Sequence, residues 1–461
     1  MRILLTGGTG LIGSQVGIAL AKSGHDITAL TRKGNPRDLC FPARCSAWDH
    51  ATPLPSAVLA PNGETFDAVI HLAGEPVAQR WTTSVKERIK ESRVKSTKAL
   101  IQSLKQLKVL PSVWLNASAI GIYGDNNHQI QTESAPHASG FLADVCKEWE
   151  AALSELPATT RSVSLRFGII LSNEGGALPK MLTPFRYGVG GPIGQGRQMM
   201  SWIHIDDTTA AVMHALKTQS VVGPVNVVAP NPVSNAEFTK EIGQTIGMPA
   251  LMPAPVFMLK LLLGEMSSII LSSAAVVPEK LIQSGFVFQY PTLNPCLQNL
   301  LTVNVRKGVR IYVARQWIKG TPVEHFPFFS AAENLETITP PWLHFRITAK
   351  SSEIMSNGVL IDYKLRIKGL PVRWRTRIES WAPPHQFVDT QLKGPYKLWH
   401  HTHTFESVGD GTLMTDRVLY KMRFWPLGDV ALPMVKHDVE TIFSYRKSVI
   451  DRLLGHKPHS S

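Results

Sequence analysis

The stretch MRILLTGGTGLIG, residues 1–13, runs from a short apolar segment directly into a turn with glycines at positions 7, 10 and 13. The pattern predicts a buried parallel strand over residues 2–6 and a helix over residues 11–23. In such a junction Gly7 allows a tight turn, Gly10 lets backbone amides approach a diphosphate, and Gly13 lets helix and strand pack closely. The helix N-terminus then favours the negative charge of the diphosphate. The stretch predicts a dinucleotide site, the alternative being a glycine turn that serves packing alone.

The end of the second predicted strand indicates which dinucleotide binds. Residues 25–30, HDITAL, predict this strand, and Thr31, Arg32 and Lys33 follow where an NAD site places an acidic residue. A carboxylate there would repel a 2′-phosphate, whereas Arg32 offers it a bidentate, charge-assisted bond. The alternative is a solvated pair of charges. We expect NADP(H) rather than NAD(H) as the cofactor.

Length and composition predict a folded chain of two or three domains. The 461 residues are 44% hydrophobic and 18% charged, an ordinary globular balance. The four cysteines form no CxxC pair, so we expect reduced thiols, a cytoplasmic location and no cysteine-bound metal. Because Met1 already lies at the edge of the first strand, we expect no signal peptide. The apolar residues 256–277 include Lys260 and Glu265, which favours a core or interface helix over a membrane span.

Positive charge is concentrated in the last third of the chain. Residues 303–461 hold 23 Lys and Arg against 14 Asp and Glu, a net +9, whereas the remainder carries 25 against 21, a net +4. Such a basic segment raises the possibility of a nucleic-acid partner. Its arginines, however, alternate with apolar residues along predicted strands, which is typical of a solvated sheet face. We expect no nucleic-acid partner.

Strand and helix patterns alternate through the first 300 residues. Strands are predicted at residues 67–72, 112–117 and 162–171, and a helix at residues 84–107. This alternation predicts an α/β fold of Rossmann type, with a doubly wound parallel sheet covered by helices on both faces.

Six segments in this region resemble a known family. They are TGGTGLIG (6–13), HLAGEP (71–76), NASAIGIYGD (116–125), LRFGIIL (165–171), GGPIGQGRQMMSWIHIDD (190–207) and NVVAPNPVSNAEF (226–238). In this order they resemble the extended short-chain dehydrogenase/reductase superfamily, and more narrowly its epimerase family branch. The resemblance implies a cofactor-binding domain over residues 1–249 and a small module over residues 250–301. It places the cofactor contacts on Gly7, Gly10, Leu11, Ile12, Gly13, Thr31, Arg32, Leu72, Ala73, Arg93 and Arg166.

The catalytic helix departs from the superfamily pattern. Members carry a Tyr-x-x-x-Lys pair one helical turn apart, in which the lysine lowers the tyrosine pKa for proton transfer. The matching residues 140–150 read GFLADVCKEWE, with no tyrosine and with Lys147 expected as an exposed charge. Ser118 matches the substrate-polarising serine, and Tyr123 follows it in a loop, so these two are the catalytic candidates. Alternatively, Ser118 lines the cofactor and Tyr123 packs. A single His204 between apolar neighbours is expected to be a core residue.

After residue 301 the pattern changes to long alternating strands. A strand over residues 311–318, a helical pair over 322–339, strands such as 359–367 and 372–381, and a final helix over 426–454 predict an α+β helix-grip. Residues 303–455 resemble the START-like or Bet v 1-like superfamily, also called SRPBCC or polyketide cyclase/dehydrase-like. The carrying segments include VEHFPFFSAAENLETITPPWLHFRI and GTLMTDRVLY. The resemblance implies a cavity for a hydrophobic ligand, with either lining or core roles for Trp342, Trp374, Trp399, Phe405 and Phe424.

Three histidines in the last third, His400, His401 and His403, suggest a metal site. On a strand, His401 and His403 share a face, but the neighbouring sequence offers no Asp, Glu or Cys as a third ligand. We expect no bound metal.

Two functions are compatible with these features. The first is an NADP(H)-dependent oxidoreductase or epimerase-like enzyme that acts on an apolar or carbonyl-containing small molecule. The second is a non-enzymatic NADPH sensor coupled to a carrier of a hydrophobic ligand. The missing Tyr/Lys pair favours the second, whereas Ser118 and the pocket motifs favour the first.

Overall fold

The computed structural model describes residues 1–61, 63, 65–126, 128–301, 308–423 and 431–455. The chain divides into two compact units, one made of Met1–Asp38 and Ala43–Val303 and the other mainly of Asn304–Ser461. Phe424 and the predicted start of the last helix at residue 426 lie outside the described residues. In the described parts of the chain, each helix is either too short or too polar to span a bilayer.

The strands of the first unit are short and mostly buried. They are β1 (Arg2–Thr6), β2 (Asp26–Thr31), β3 (Arg44–Ala47), β4 (Ala68–His71), β5 (Val113–Ala119), β6 (Ile130–Gln131), β7 (Arg161–Phe167), β8 (Ile169–Leu171), β9 (Met199–Met200), β10 (Trp202–His204), β11 (Gly223–Val227), β12 (Val233–Ser234) and β13 (Ala275–Val276). Seven of them form one parallel sheet in the order β11-β7-β5-β4-β1-β2-β3. The predicted Rossmann-type parallel sheet is thereby confirmed.

Helices connect these strands and cover the sheet. They are α1 (Leu11–Lys22), α2 (Ser56–Leu59), α3 (Thr83–Lys105), α4 (Phe141–Ala151), α5 (Leu178–Arg186), α6 (Ile205–Lys217), α7 (Asn235–Ile246), α8 (Val256–Leu263), α9 (Ser267–Leu271), α10 (Glu279–Gln283) and α11 (Leu293–Leu301). The core under α3 packs Leu100 and Leu104 against Leu4, Val69 and Trp114 of the sheet. Since the chain passes from β1 to β3 on one side and returns to β4 on the other, the carboxyl ends of β1 and β4 lie next to each other. In such sheets, ligands bind at this reversal of strand order.

Two sequence predictions for this unit are wrong. The single strand expected over residues 162–171 is two strands, because the chain turns at Gly168 and β8 leaves the main sheet to pair with β10. A Cβ atom on Gly168 would lie 2.6 Å from the carbonyl oxygen of Ser201, so only glycine fits this turn. The helix expected over residues 256–277 ends at Gly264, which has a φ of +60°, and α8 has no buried residue. It is therefore not a core helix, and the alternative role of this segment as an interface helix stays a prediction.

The second unit combines an antiparallel sheet with three helices. Its strands are β14 (Arg310–Lys319), β15 (Arg346–Lys350), β16 (Leu360–Ile367), β17 (Leu370–Ala382), β18 (Gln386–Lys393), β19 (Leu398–Val408) and β20 (Gly411–Lys421), and its helices are α12 (Pro322–Ser330), α13 (Ala332–Ile338) and α14 (Leu432–Leu453). The seven strands follow the order β14-β20-β19-β18-β17-β16-β15. As the alternation predicts, Ile361 and Trp374 are buried while Arg373 and Arg375 are exposed. One sheet face is therefore apolar and packs with α14, as in the contacts of Val439 and Phe443 with Val418.

Candidate functional site

The glycine turn after β1 packs directly on the loop after β4. Gly7 has a φ of +73°, and a Cβ atom there would lie 2.7 Å from the carbonyl carbon of Leu72. A Cβ atom on Gly13 would lie 2.1 Å from the carbonyl oxygen of Gly7. Side chains are therefore excluded from the turn for steric reasons. The structure brings together four of the predicted cofactor residues, Gly7, Gly13, Leu72 and Ala73.

The start of α1 presents backbone amides at this turn. Gly10 is the N-cap residue, and no side chain caps the helix. The Gly10 amide donates to the carbonyl oxygen of Gly7 at 2.9 Å, which closes the turn. The amides of the first helical turn, including those of Leu11 and Ile12, have no partner within a helix, so they suit an anion.

Two residues that the sequence reasoning missed hold the loop after β4 in place. The Thr6 hydroxyl accepts a hydrogen bond from the Ala73 amide at 3.2 Å and lies 2.7 Å from His71 Nδ1. His71 Nε2 lies 3.3 Å from the Ser96 hydroxyl of α3. Burial lowers the pKa of His71 to about 3, so the imidazole is neutral at physiological pH. The sequence feature that could have identified them is a polar residue at the end of each of two buried strands, Thr6 in β1 and His71 in β4.

Arg32 lies at the carboxyl end of β2, on the same edge of the sheet. Thr31 is buried, and its hydroxyl accepts a hydrogen bond from the Gly34 amide at 2.9 Å, which fixes the turn after the strand. Arg32 itself is exposed. Burial lowers the pKa of His50, and the positive charge of Arg32 lowers it further. A guanidinium therefore stands where the sequence predicts the 2′-phosphate contact.

Arg93 of α3 approaches the loop after β4 from the helix side. A Cβ atom on Gly74 would lie 3.3 Å from the Arg93 guanidinium carbon. The guanidinium donates to the carbonyl oxygen of Ile89 at 3.0 Å and stands 5.2 Å from the centre of the Trp149 ring. Burial lowers the pKa of Arg93 from its ordinary value. This cation thus lies against Gly74, the residue that follows Leu72 and Ala73 in the loop.

Arg166 occupies the centre of a buried polar network. Its side chain is 1% exposed, and its Nε and one terminal nitrogen donate to the two oxygens of Glu150 at 2.8 and 2.7 Å. The remaining donors reach the Tyr123 hydroxyl at 2.7 Å, the Glu133 carbonyl at 3.3 Å and His137 Nε2 at 3.1 Å. Although burial opposes the charge, the hydrogen bonds and charge of Glu150 raise the pKa of Arg166. A cofactor phosphate would have to displace one of these partners, so the direct contact predicted for Arg166 stays a prediction.

The two catalytic candidates belong to the same network. The Ser118 hydroxyl donates to Glu150 Oε1 at 2.6 Å, and the Tyr123 hydroxyl donates to Asn226 Oδ1 at 2.7 Å. Burial raises the pKa of Tyr123, so its phenol keeps its proton. The sequence reasoning missed Glu150. Its signal was an acidic residue one turn after Cys146, on the face of α4 where that cysteine is buried.

The rest of α4 carries no catalytic pair. Burial raises the pKa of the Cys146 thiol to about 11. Lys147 forms an ion pair with Asp144 at 2.8 Å and is more than a third exposed, as expected for a surface charge. His204, expected to be a core residue, is 1% exposed and caps α6, where its Nδ1 accepts from the Asp206 amide at 3.0 Å.

The second unit contains a cavity of about 310 Å³ between the sheet and the helices. Trp342, Trp374 and Trp399 line it, together with apolar residues of β16, α13 and α14. Phe405 does not line it, which leaves the second of the two roles that the sequence allows for this residue. It is 1% exposed and packs in the core, with its ring 5.1 Å from that of Phe329.

A buried polar cluster forms part of the cavity wall. Asp389, His401 and His403 line the cavity, with Arg446 of α14 beside them. Sheet register brings them together, because Asp389 of β18 pairs with His401, and Asp416 of β20 pairs with His403. The sequence-based argument that no acidic residue lies beside the histidines is therefore wrong. The ligand atoms of Asp389, His401 and His403 lie within 4.8 Å of one another, a grouping able to hold a metal ion.

Comparisons with known proteins cover the first unit. Residues 3–228 match the model of the NAD dependent epimerase/dehydratase family, and residues 254–300 match a domain of unknown function, DUF1731. The chloroplastic epimerase family protein SDR39U1 homolog of Arabidopsis thaliana is 33% identical over 309 residues, which are 65% of this chain and 87% of the relative. An epimerase family protein of Staphylococcus aureus is 36% identical over 307 residues, 65% of this chain and 98% of the relative.

A solved structure resembles the same region. The human epimerase family protein SDR39U1 (isoform 2), solved with NADPH, is 31% identical and superimposes with a TM-score of 0.59. The match covers 66% of this chain and 100% of the human one.

Proposed function

Because the chain belongs to the NAD dependent epimerase/dehydratase family, we propose that it is an NADP(H)-dependent epimerase or oxidoreductase-like enzyme whose second unit binds a hydrophobic ligand. The substrate class that fits this combination is an apolar or carbonyl-containing small molecule.

The observation that carries the proposal is the packing of the glycine turn on the loop after β4. A Cβ atom at Gly7 or Gly13 would overlap neighbouring backbone, so the turn offers backbone amides and the uncapped start of α1. A diphosphate fits such a surface, because it needs close approach and N–H donors rather than side chains. Leu72 and Ala73 form the adjacent wall for the rest of a dinucleotide.

Arg32 and the human relative support NADP(H) over NAD(H). The guanidinium is exposed at the carboxyl end of β2, where NAD sites place the carboxylate that selects the ribose hydroxyls. The human SDR39U1 structure contains NADPH. We assign the 2′-phosphate contact to Arg32.

Bound NADP(H) supplies or accepts the hydride, and the chain's own residues orient the substrate and handle the proton. Ser118 is the hydroxyl that polarises a substrate oxygen, and to do so it turns its single proton from Glu150 Oε1, 2.6 Å away, to the substrate. Arg166 in turn fixes Glu150 through two hydrogen bonds. Tyr123 is a weak acid here, since burial raises its pKa. Without an activated phenol, turnover lacks roughly the 10²–10⁴-fold that a positioned acid supplies.

The second unit is proposed to be a START-like helix-grip domain over residues 303–455. The support is its antiparallel seven-stranded sheet, the long α14, and the 310 Å³ cavity lined by aromatic and aliphatic residues. Cavities of this size and character hold small apolar molecules. The aromatic and aliphatic residues of the cavity wall therefore support a hydrophobic ligand.

The test is a turnover screen of the full chain. NADPH oxidation is followed with a panel of apolar carbonyl compounds and nucleotide sugars, with NADH as the comparison cofactor. Substrate-dependent oxidation that is faster with NADPH supports the proposal, and binding of NADH as tight as that of NADPH contradicts the cofactor assignment.

One observation favours a second function, a non-enzymatic NADPH sensor coupled to a ligand carrier. Ser118 and Tyr123 both donate their hydroxyl protons to partners inside the network, and α4 carries no Tyr/Lys pair. NADPH binding without turnover on any compound of the panel would favour this function.

A further inference from the structure

The cavity wall of the second unit contains two imidazoles held between two carboxylates. On one side, Asp389 Oδ2 lies 3.1 Å from His403 Nε2 and 3.5 Å from His401 Nδ1. On the other side, Asp416 Oδ1 lies 2.7 Å from His403 Nδ1 and 3.0 Å from His401 Nε2. The two rings are adjacent, with centres 3.8 Å apart. All four ring nitrogens therefore lie within 3.5 Å of a carboxylate oxygen, and two of them, His401 Nε2 and His403 Nε2, form hydrogen bonds there, whereas His403 Nδ1 is buried without one.

Imidazole chemistry allows two nitrogens of this cluster to bind one cation. A neutral imidazole has one N–H donor and one lone pair, and a carboxylate only accepts. When each ring carries its proton on the nitrogen near Asp416, the lone pairs of His401 Nδ1 and His403 Nε2 lie on the side of Asp389. A cation beside Asp389 is then bound by both rings and the carboxylate.

We propose that Asp389, His401 and His403 bind a divalent first-row transition metal ion through Asp389 Oδ2, His401 Nδ1 and His403 Nε2. Two of the three separations between these atoms match a coordination shell, and all three atoms lie within 4.8 Å of one another. Ligands bonded at about 2.0–2.2 Å to one ion lie roughly 3–3.5 Å apart, and the two measured separations from Asp389 Oδ2 are 3.1 and 3.5 Å. Two imidazoles and one carboxylate suit Zn²⁺, Fe²⁺ or Co²⁺ rather than Mg²⁺ or Ca²⁺.

The groups behind the ligands match those of protein metal sites. Metal-bound histidines usually donate their second N–H to a carboxylate, which fixes the ring and its tautomer. Asp416 accepts from His401 Nε2 at 3.0 Å and lies 2.7 Å from His403 Nδ1, and it is itself neutralised by Arg446, whose guanidinium lies 3.6 Å away. Asp416 is therefore a positioning residue and not a ligand.

The remaining coordination positions face the apolar cavity. Asp389, His401 and His403 line it together with Trp399 and Phe387. A three-ligand site with open positions takes water or an oxygen atom of a small molecule. The ion thus fixes the orientation of a hydrophobic ligand that coordinates it through an oxygen atom. All residues of the proposed metal site belong to the second unit, so a test of metal binding is independent of the proposed NADP(H) chemistry.

The test is a Co²⁺ titration of the full chain, free of any affinity tag and stripped of metal with a chelator. We expect one Co²⁺ per chain, with visible absorption bands of bound Co²⁺. Asp389→Asn and His403→Gln should weaken binding at least 10-fold. His400→Gln is the matched control, because His400 lies on the same strand with its Nε2 toward Glu379, at 3.8 Å, and should leave the titration unchanged. Asp416→Asn should weaken binding without abolishing it.

A second measurement places the ion without altering a ligand. The Trp399 ring lies 6.5 Å from that of His401, so bound Co²⁺ should quench its fluorescence. Replacement of Trp399 by Phe should remove the part of the tryptophan fluorescence that Co²⁺ quenches, while the chain still binds one Co²⁺. The proposal is overturned if the wild type binds no Co²⁺ stoichiometrically, if Asp389→Asn binds as tightly as the wild type, or if Trp399→Phe leaves the quenching unchanged.

Discussion

Glu150 binds Arg166 through two hydrogen bonds of 2.8 and 2.7 Å, and its Oε1 also accepts the Ser118 hydroxyl at 2.6 Å. The arginine side chain is 1% exposed and the glutamate 13%. This pair joins α4 to β7 beneath the catalytic candidates.

Replacement of Glu150 by Gln should destabilise the first unit strongly. The change leaves a buried guanidinium without a counter-ion, which costs about 3–5 kcal/mol. Denaturation of the variant in urea measures the loss in free energy of unfolding. The control is Glu148→Gln, because Glu148 pairs with Lys90 on the surface and both side chains are about half exposed. For this variant we expect a loss of about 0–1 kcal/mol in the free energy of unfolding. Equal losses for the two variants would show that the buried pair is not a stabilising contact.

Replacement of Arg32 by Asp should remove the preference for NADPH over NADH. A charge-assisted bond to the 2′-phosphate contributes about 1.5–3 kcal/mol, a factor of roughly 10–150 in Kd. Calorimetric titration with both reduced cofactors measures the preference. Lys105→Asp introduces the same kind of charge change at the exposed end of α3 and should leave the ratio of Kd values unchanged. An unchanged ratio in Arg32→Asp would remove Arg32 from the site.

Any turnover should depend on Ser118 and not on Lys147. Ser118→Ala removes the hydroxyl held by Glu150 and should lower kcat by about 10²-fold. Lys147→Ala removes only a surface charge paired with Asp144 and should leave kcat unchanged. Steady-state kinetics on the best substrate of the screen decides between them. Loss of kcat in Lys147→Ala alone would mean that α4 presents a different face to the substrate than proposed.

The first unit should lose stability as the pH falls below 6.5, in part through His71. Its pKa is about 3 in the folded chain and 6.5 as the ordinary value, so below pH 6.5 the unfolded state binds a proton that the folded state does not. Stability therefore falls by up to about 1.4 kcal/mol per pH unit for this group. Urea denaturation at pH 7 and pH 5 should show a smaller change for His71→Asn than for the wild type. His128→Asn, at an exposed position, should behave like the wild type.

Ligand binding by the second unit should depend on the apolar wall of its cavity. Ile361→Asp places a carboxylate where the wild-type residue is 6% exposed and should abolish binding of a fluorescent fatty acid. Ile361→Trp fills the cavity without adding a charge and should also reduce binding. This second variant keeps the prediction testable if Ile361→Asp does not fold. Lys364→Asp changes an exposed residue of the same strand and should bind as the wild type does. Undiminished binding in Ile361→Trp would place the ligand elsewhere.

The glycine turn was predictable because its cause is local. Gly7, Gly10 and Gly13 are constrained by one strand, one turn and one helix within 13 residues. Leu72 and Ala73 were assigned to the cofactor by the family resemblance, and Arg32 by its position after the second strand. The cofactor contacts of these three residues stay predictions.

The two buried polar networks were not predictable because they depend on distant pairing. Arg166 meets Glu150 only because α4 packs beside β7, and it meets Tyr123 across 43 positions of sequence. His401 meets Asp416 across 15 positions through the register of β19 and β20, which the alternation of residues does not fix. The break at Gly168 was equally hidden, because the backbone that it approaches, at Ser201, is remote in sequence.

The preference for NADP(H) is tested by native mass spectrometry of the full chain, purified without added cofactor and then with NADP(H) and NAD(H) added in equal amounts. We expect one NADP(H) per chain in preference to NAD(H), with an apolar molecule of small mass released on denaturation. A chain that retains NAD(H) instead, or that binds neither dinucleotide at saturating concentration, would contradict it.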